Sequence, residues 1–147
     1  SAPLQSAFDP QLTASPDGTV TAVWRRSNGA NEIIQAATRL PGGSFGPPVD
    51  LSAPLQSSSD PQLTASPDGT VTAVWTRFNG ANGIIQAATR PPGGSFTAPV
   101  DLSAPLQDAF GPELTAAPDG TVTAIWTRSN GSNFIMQAAT RSPGGSF

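Results

Sequence analysis

Ser15-Pro16-Asp17-Gly18-Thr19-Val20-Thr21-Ala22-Val23-Trp24 is a turn signal followed by a strand, and the chain contains it three times. Ser66-Pro67-Asp68-Gly69 runs into Trp75 and Ala117-Pro118-Asp119-Gly120 into Trp126, each copy 51 residues after the one before. The same period relates whole units, 1–51, 52–102 and 103–147, the last without its closing segment. Repeats of this length are supersecondary units that cannot bury their apolar faces alone and lean on their neighbours.

Outward from that stretch, each unit resolves into short strands and tight turns. In the first, Pro10 to Ser15 reads as a strand with Leu12 and Ala14 on one face, and Asp17-Gly18 supplies the positive φ angles of a hairpin. Thr19 to Arg26 is a Val- and Thr-rich second strand. Asn28-Gly29 marks the next turn, Ile33 to Arg39 the third strand, Pro41-Gly42-Gly43-Ser44 the third turn and Phe45 to Leu51 the fourth strand. Pro47 and Pro48 cannot donate to a ladder, so the fourth strand is expected at an outer edge.

Along the second strand Val20, Ala22 and Trp24 alternate with Thr21 and Val23, so both faces are apolar or small. A sheet buried on both faces without helices must pack against other sheets. With four strands in each unit, this is an all-β chain of β-propeller blades, in which the third unit lacks its last strand. The unit resembles blades of the β-propeller repeat families whose first hairpin carries a Ser-Pro-Asp-Gly turn, and the likeness covers the whole chain. The turn is also similar to the Asp-box of sialidase-type propellers but departs from it, because Asp17 and Gly18 are adjacent and Trp24 comes later. Three blades are too few to close a ring, so the chain is expected to complete one with copies of itself. Most simply two chains pair into six blades. A larger ring and a piece of a longer natural chain are the alternatives.

Composition narrows the chemistry. The net charge is −3, with seven arginines, no lysine and ten acids, so there is no basic stripe to follow a phosphate backbone. Nucleic acid is not expected as a partner. No apolar run approaches the roughly 20 residues of a membrane-spanning helix, and membrane insertion is not expected either. A soluble protein is expected, bacterial and secreted or held at the cell surface, with any export signal removed or outside this stretch. Cys, His and Tyr are absent along with Lys. That excludes thiolate and imidazole metal sites, Ser-His triads, Schiff bases and a Tyr nucleophile, and it leaves only carboxylate chemistry. Glu32, Glu113, Asp9, Asp60 and Asp108 show no spacing that suggests a glycosidase pair. No enzyme, cofactor or metal is expected. One carboxylate per turn falls short of the six to eight oxygens that calcium takes, so Asp17, Asp68 and Asp119 read as turn formers.

The three copies differ chiefly in two places. One is the connector before the first strand, where Ser6-Ala7-Phe8-Asp9 becomes Ser57-Ser58-Ser59-Asp60 and then Asp108-Ala109-Phe110-Gly111. The other surrounds the second turn, where Arg25 becomes Thr76 and Thr127, Ser27 becomes Phe78, and Glu32 becomes Gly83 and then Phe134. In a meander these emerge on one side, the side where propellers usually bind; neutral drift in tolerant loops is the other reading. On that side Arg26, Arg77 and Arg128, with Asn28, Asn79 and Asn130, form a repeated set of guanidinium forks and amides able to hold a carboxylate or sugar hydroxyls. The structural alternative pairs the arginines with Asp9 or Asp60, or with connector carbonyls. Phe8, Phe78, Phe110 and Phe134 fall in loops as candidate exposed aromatic contacts, whereas Trp24, Trp75 and Trp126 are expected in the core between blades. The reading is a non-catalytic, self-assembling scaffold, or a carbohydrate-binding, lectin-like propeller with one shallow site per blade. Its partner is itself, with a glycan or protein ligand possible.

Overall fold

The computed structural model describes residues 5–147; Ser1 to Leu4, the opening of the first unit, lie outside the described residues. Three antiparallel sheets follow one another. The first contains β1 (Ala7–Ala14), β2 (Val20–Ser27), β3 (Glu32–Arg39) and β4 (Val49–Asp50), paired in that order. The second contains β5 (Ser58–Ala65), β6 (Val71–Phe78), β7 (Gly83–Arg90) and β8 (Val100–Asp101), and the third β9 (Ala109–Ala116), β10 (Val122–Ser129) and β11 (Phe134–Arg141).

Turn chemistry explains the boundaries. The Thr19 backbone N–H donates to Asp17 Oδ1 at 2.8 Å and Gly18 takes φ +82°, so Asp17 and Gly18 reverse the chain as their sequence requires. Two strands differ from the reading of the residues. The fourth shrinks from Phe45–Leu51 to Val49–Asp50, preceded only by a bridge between Arg39 and Phe45, because Pro47 and Pro48 interrupt the ladder. The first starts at Ala7 instead of Pro10, because the register slips between Phe8 and Gln11 and the strand continues through a bulge. Asp9 carries that bulge with φ 53°, Asp60 repeats it at 51°, and Gly111 takes 59°. The Asp-to-Gly change at Gly111 therefore keeps a backbone conformation that few side chains tolerate.

Between sheets the packing is directional. Val23, Ile34, Ala36 and Leu51 of the first sheet meet Ala73, Trp75 and Ala88 of the second. Val74, Ile85 and Ala87 of the second sheet meet Ala109, Ala124 and Trp126 of the third. Each sheet thus turns its tryptophan face to the sheet before it and its Val/Ile face to the sheet after it. A buried arginine crosses each junction: Arg90 Nη2 donates to Thr21 Oγ1 at 2.9 Å, and Arg141 Nη2 to Thr72 Oγ1 and Ser66 Oγ, both at 3.4 Å. Burial pulls the Arg90 guanidinium below its usual value, and the charge of Asp17 partly offsets this.

Two faces of the stack remain open. Trp75 is fully buried and Trp126 3% exposed, but Trp24 is only half-buried, which corrects the expectation of three core tryptophans. Among the described residues no other sheet packs on the Trp24 face. At the other end Ile125 is 39% and Met136 65% exposed.

Trp75→Ala is expected to cost about 3–5 kcal/mol in denaturant unfolding, because it empties a closed junction; at a concentration low enough to keep the chain monomeric, Trp24→Ala should cost less than half as much. Equal losses would contradict the directional packing. A second expectation concerns acid. Thr19 and Thr121 hold the carboxyls of Asp17 and Asp119 below the ordinary 3.8, chiefly through their backbone N–H groups. The stability these carboxylates contribute is complete above that value and is lost as the pH falls through the lowered one. Thermal melting followed against pH should fall below about pH 4 more steeply in the wild type than in an Asp17→Asn, Asp119→Asn double variant.

Candidate functional site

The connector and the second turn are brought to one side of the stack. Asn28 Nδ2 donates to the Pro54 carbonyl at 2.8 Å, and its Oδ1 accepts from the backbone of Ala30 and Asn31. Asn79 repeats this with Pro105, Ala81 and Asn82, and Asn130 caps its own turn through Ser132 and Asn133. These amides hold turns and join a turn to the next connector.

The arginine set is also tied down, though not by the expected partners. Arg77 Nη1 donates to Gln56 Oε1 at 2.8 Å and Nη2 reaches Asp101 Oδ2 at 3.2 Å. Arg26 makes the corresponding contacts, a hydrogen bond to Gln5 and an ion pair of 3.8 Å with Asp50. Asp50 and Asp101 come from the short fourth strands, so Asp9 and Asp60 are not the partners of Arg26 and Arg77. The acids also accept from Gln35 and Gln86, and Gln86 Oε1 accepts from Trp75 Nε1 at 3.2 Å. This relay fastens the fourth strand to the tryptophan face. In the third sheet Arg128 has no corresponding aspartate among the described residues, and its Nε is buried without a hydrogen bond.

Asp9 pairs instead with the neighbouring Arg25, whose Nε lies 3.0 Å from Asp9 Oδ2 while its guanidinium sits 5.1 Å from the centre of the Phe8 ring. Phe110 and Phe134 meet edge to face at 5.6 Å, and both rings keep exposed area. The candidate aromatics lie on strands and not in the expected loops, because the first strand of each unit starts early at its bulge and the second and third run on to the turn: Phe8 of β1 meets a cation within the first sheet, Phe78 ends β6, and Phe110 of β9 meets Phe134 of β11 within the third.

A cleft of about 270 Å³ gathers the drifted positions of all three units. Arg25 and Glu32 come from the first sheet, Ser58, Thr76 and Phe78 from the second, and Asp108 and Phe110 from the third unit. Gly83 lets the last two approach: its N–H donates to Asp108 Oδ1 at 2.7 Å, and a Cβ there would stand 2.4 Å from the Ala109 carbonyl oxygen. At the first junction Glu32 takes the glycine position and Ser57 the aspartate position, with the Glu32 N–H 3.5 Å from Ser57 Oγ. Each junction therefore keeps one carboxylate, supplied from opposite sides. Of the aromatic candidates named from sequence Phe78 and Phe110 line this cleft, with Glu32 and Asp108 from the carboxylates weighed there; Arg25, Ser58, Thr76 and Gly83 were visible only as differences between copies.

No family model and no curated protein matches the chain. Among solved structures it is similar to an endo-arabinase from Bacteroides thetaiotaomicron, with a TM-score of 0.63 and 16% identity over 96% of this chain and 58% of that one. It is likewise similar to the polysaccharide lyase Uly1, with a TM-score of 0.64 and 13% identity over 94% of this chain and 39% of that one. The chain spans less than two thirds of either. At such identities the likeness speaks for the fold alone, an all-β, propeller-like stack of antiparallel sheets.

Proposed function

We propose that this chain is a non-catalytic propeller module that assembles head to tail with copies of itself, most simply two chains completing a ring of six blades. The observation that carries the reading is that the two open faces are the two halves of the junction repeated inside the chain. Trp24, Ala22 and Ala37 offer the tryptophan face that Trp75, Ala73 and Ala88 offer within the stack. Ile125, Met136 and Ala138 stand where Val23, Ile34 and Ala36 stand in the closed junction. The polar bond is left in halves as well. Arg39 occupies the position of Arg90 and Arg141, and Thr123 that of Thr21 and Thr72; both are half-buried, whereas Thr21 and Thr72 are fully buried. A second copy brings Thr123 to Arg39 and Ile125 to Trp24, and each buried aliphatic side chain contributes about 1.5–3 kcal/mol. Non-catalytic is the reading that fits a chain without His, Cys, Lys or Tyr.

Light scattering should give a particle near twice the 14.9 kDa chain mass. Ile125→Arg places an unpaired charge in the closing junction and should leave a folded monomer, weakening association at least about a hundredfold. A wild-type chain that stays monomeric and folded at high concentration would overturn the reading.

A second reading is carbohydrate binding on the connector side, at the middle unit instead of at one shallow site per blade. It is favoured by the polar, aromatic-edged cleft there and by the likeness to an endo-arabinase and a polysaccharide lyase, both of them carbohydrate-active enzymes. Its test is a glycan array, on which the assembled protein should give concentration-dependent binding to at least one glycan; a blank array sinks it.

A further inference from the structure

We infer that the outer edge of β11 is a docking site for an extended Val-Asp-Leu-Ser peptide, supplied by another polypeptide and added to the third sheet as a strand. This goes beyond the assembly reading, which concerns the faces of the end sheets and not this edge. Its ground is an interaction the chain makes twice. In the first sheet Val49 and Asp50 pair with Ala36 and Gln35, the Leu51 N–H donates to the Ile34 carbonyl at 2.8 Å, and the Ile34 N–H donates to Ser52 Oγ at 2.8 Å. In the second, Val100 and Asp101 pair with Ala87 and Gln86, and Leu102 and Ser103 make the same two bonds to Ile85 at 2.7 and 2.9 Å. In the third sheet β11 is the outermost strand. Among the described residues nothing pairs with the outer side of Met136, Gln137 and Ala138, which stand 51 residues after Ile85, Gln86 and Ala87. Unpaired strand edges are templates for a further strand.

The side chains along that edge select the occupant. Asp101 accepts from Gln86 Nε2 at 2.8 Å and from Arg77 Nη2 at 3.2 Å, so one carboxylate serves donors on two neighbouring strands. The third sheet holds the same two donors ready. Trp126 Nε1 donates to Gln137 Oε1 at 3.3 Å, as Trp75 Nε1 does to Gln86, which orients the amide with its Nε2 to spare. Arg128 stands at the position of Arg77 and makes no ion pair among the described residues. Gln137 Nε2 and the Arg128 Nη atoms are neither bonded nor buried, so an incoming carboxylate can reach them. The leucine has its place as well. Leu51 joins Val23 and Ile34, and Leu102 packs against the cluster of Val74 and Ile85; Ile125 and Met136 are the exposed counterparts in the third sheet. A second copy does not supply the strand. Its Val49–Asp50 and Val100–Asp101 are already paired in their own sheets, and a second β11 carries no acid to set against Arg128.

The test is an NMR titration of the isotope-labelled protein with the end-blocked peptide of residues 46–52, Gly-Pro-Pro-Val-Asp-Leu-Ser. Its Asp50→Asn form and a scrambled peptide of the same composition are the controls. The parent peptide should shift Met136, Ala138 and the Gln137 side-chain amide saturably and slow hydrogen exchange at the Met136 N–H. The Asp50→Asn peptide should bind about tenfold more weakly. Arg128→Gln in the protein should weaken the parent peptide by a similar factor and narrow the gap between the two peptides. The melting temperature should stay unchanged, since Arg128 pairs with no acid in the free protein. No saturable shift at millimolar peptide, equal shifts from the scrambled peptide, or shifts confined to the Trp24 face would overturn the site. So would a Met136 N–H that is protected before any peptide is added and loses protection on dilution, an outcome that gives the edge to a second copy.

Discussion

The contact between the tryptophan face of one sheet and the Val/Ile face of the sheet before it is the interaction on which everything else rests. Each sheet is a meander about fifty residues long with no helix and no second layer of its own, and a lone sheet of this size cannot shield its apolar side chains. Trp75 loses all its exposed surface only because Val23, Ile34, Ala36 and Leu51 lie across from it. The buried guanidiniums of Arg90 and Arg141 are sustained by hydroxyls on the facing sheet, so register between sheets is set by a polar bond inside an apolar contact. Neither sheet of a pair holds its geometry without the other.

Such a junction has two unlike halves, and a stack of sheets joined by it always ends with one of each. The proposed head-to-tail assembly rests on that asymmetry, a ring being the closed form that would leave no half uncovered. The open surfaces at Trp24 and at Ile125 and Met136 are consequences of the rule that holds the interior together.

The connector side obeys a different constraint. There the backbone is fixed by Asn28 and Asn79 reaching over to Pro54 and Pro105, and by Gly83 against Ala109, while Phe78 and Asp108 stay exposed between these points. Differences between copies collect there in coupled form. Glu32 with Ser57 becomes Gly83 with Asp108, so each junction keeps one carboxylate, whereas Asp9 with Arg25 becomes Asp60 with Thr76 and Gly111 with Thr127, which keeps the left-handed backbone and loses the ion pair. The cleft is the product of these exchanges at the middle unit.

The residues alone determined the three-fold repeat, the turns, the alternation of faces and the edge position of the fourth strand, because turn chemistry and strand period act within a few residues of one another. Asp17-Gly18 needs no distant partner to reverse the chain. The partners of Arg26 and Arg77 were another matter: Asp9 and Asp60 are the nearer acids in the chain, but Asp50 and Asp101 are the ones beside them, since the fourth strand returns along the third. The half-exposed state of Trp24 was hidden for the same reason, as its local sequence matches that of Trp75 and only the neighbouring sheet differs. The cleft was legible as a set of differing positions and illegible as a site. Arg25, Ser58, Thr76 and Asp108 come from three units, and only inter-sheet packing, which acts across 51-residue separations, puts them around one opening.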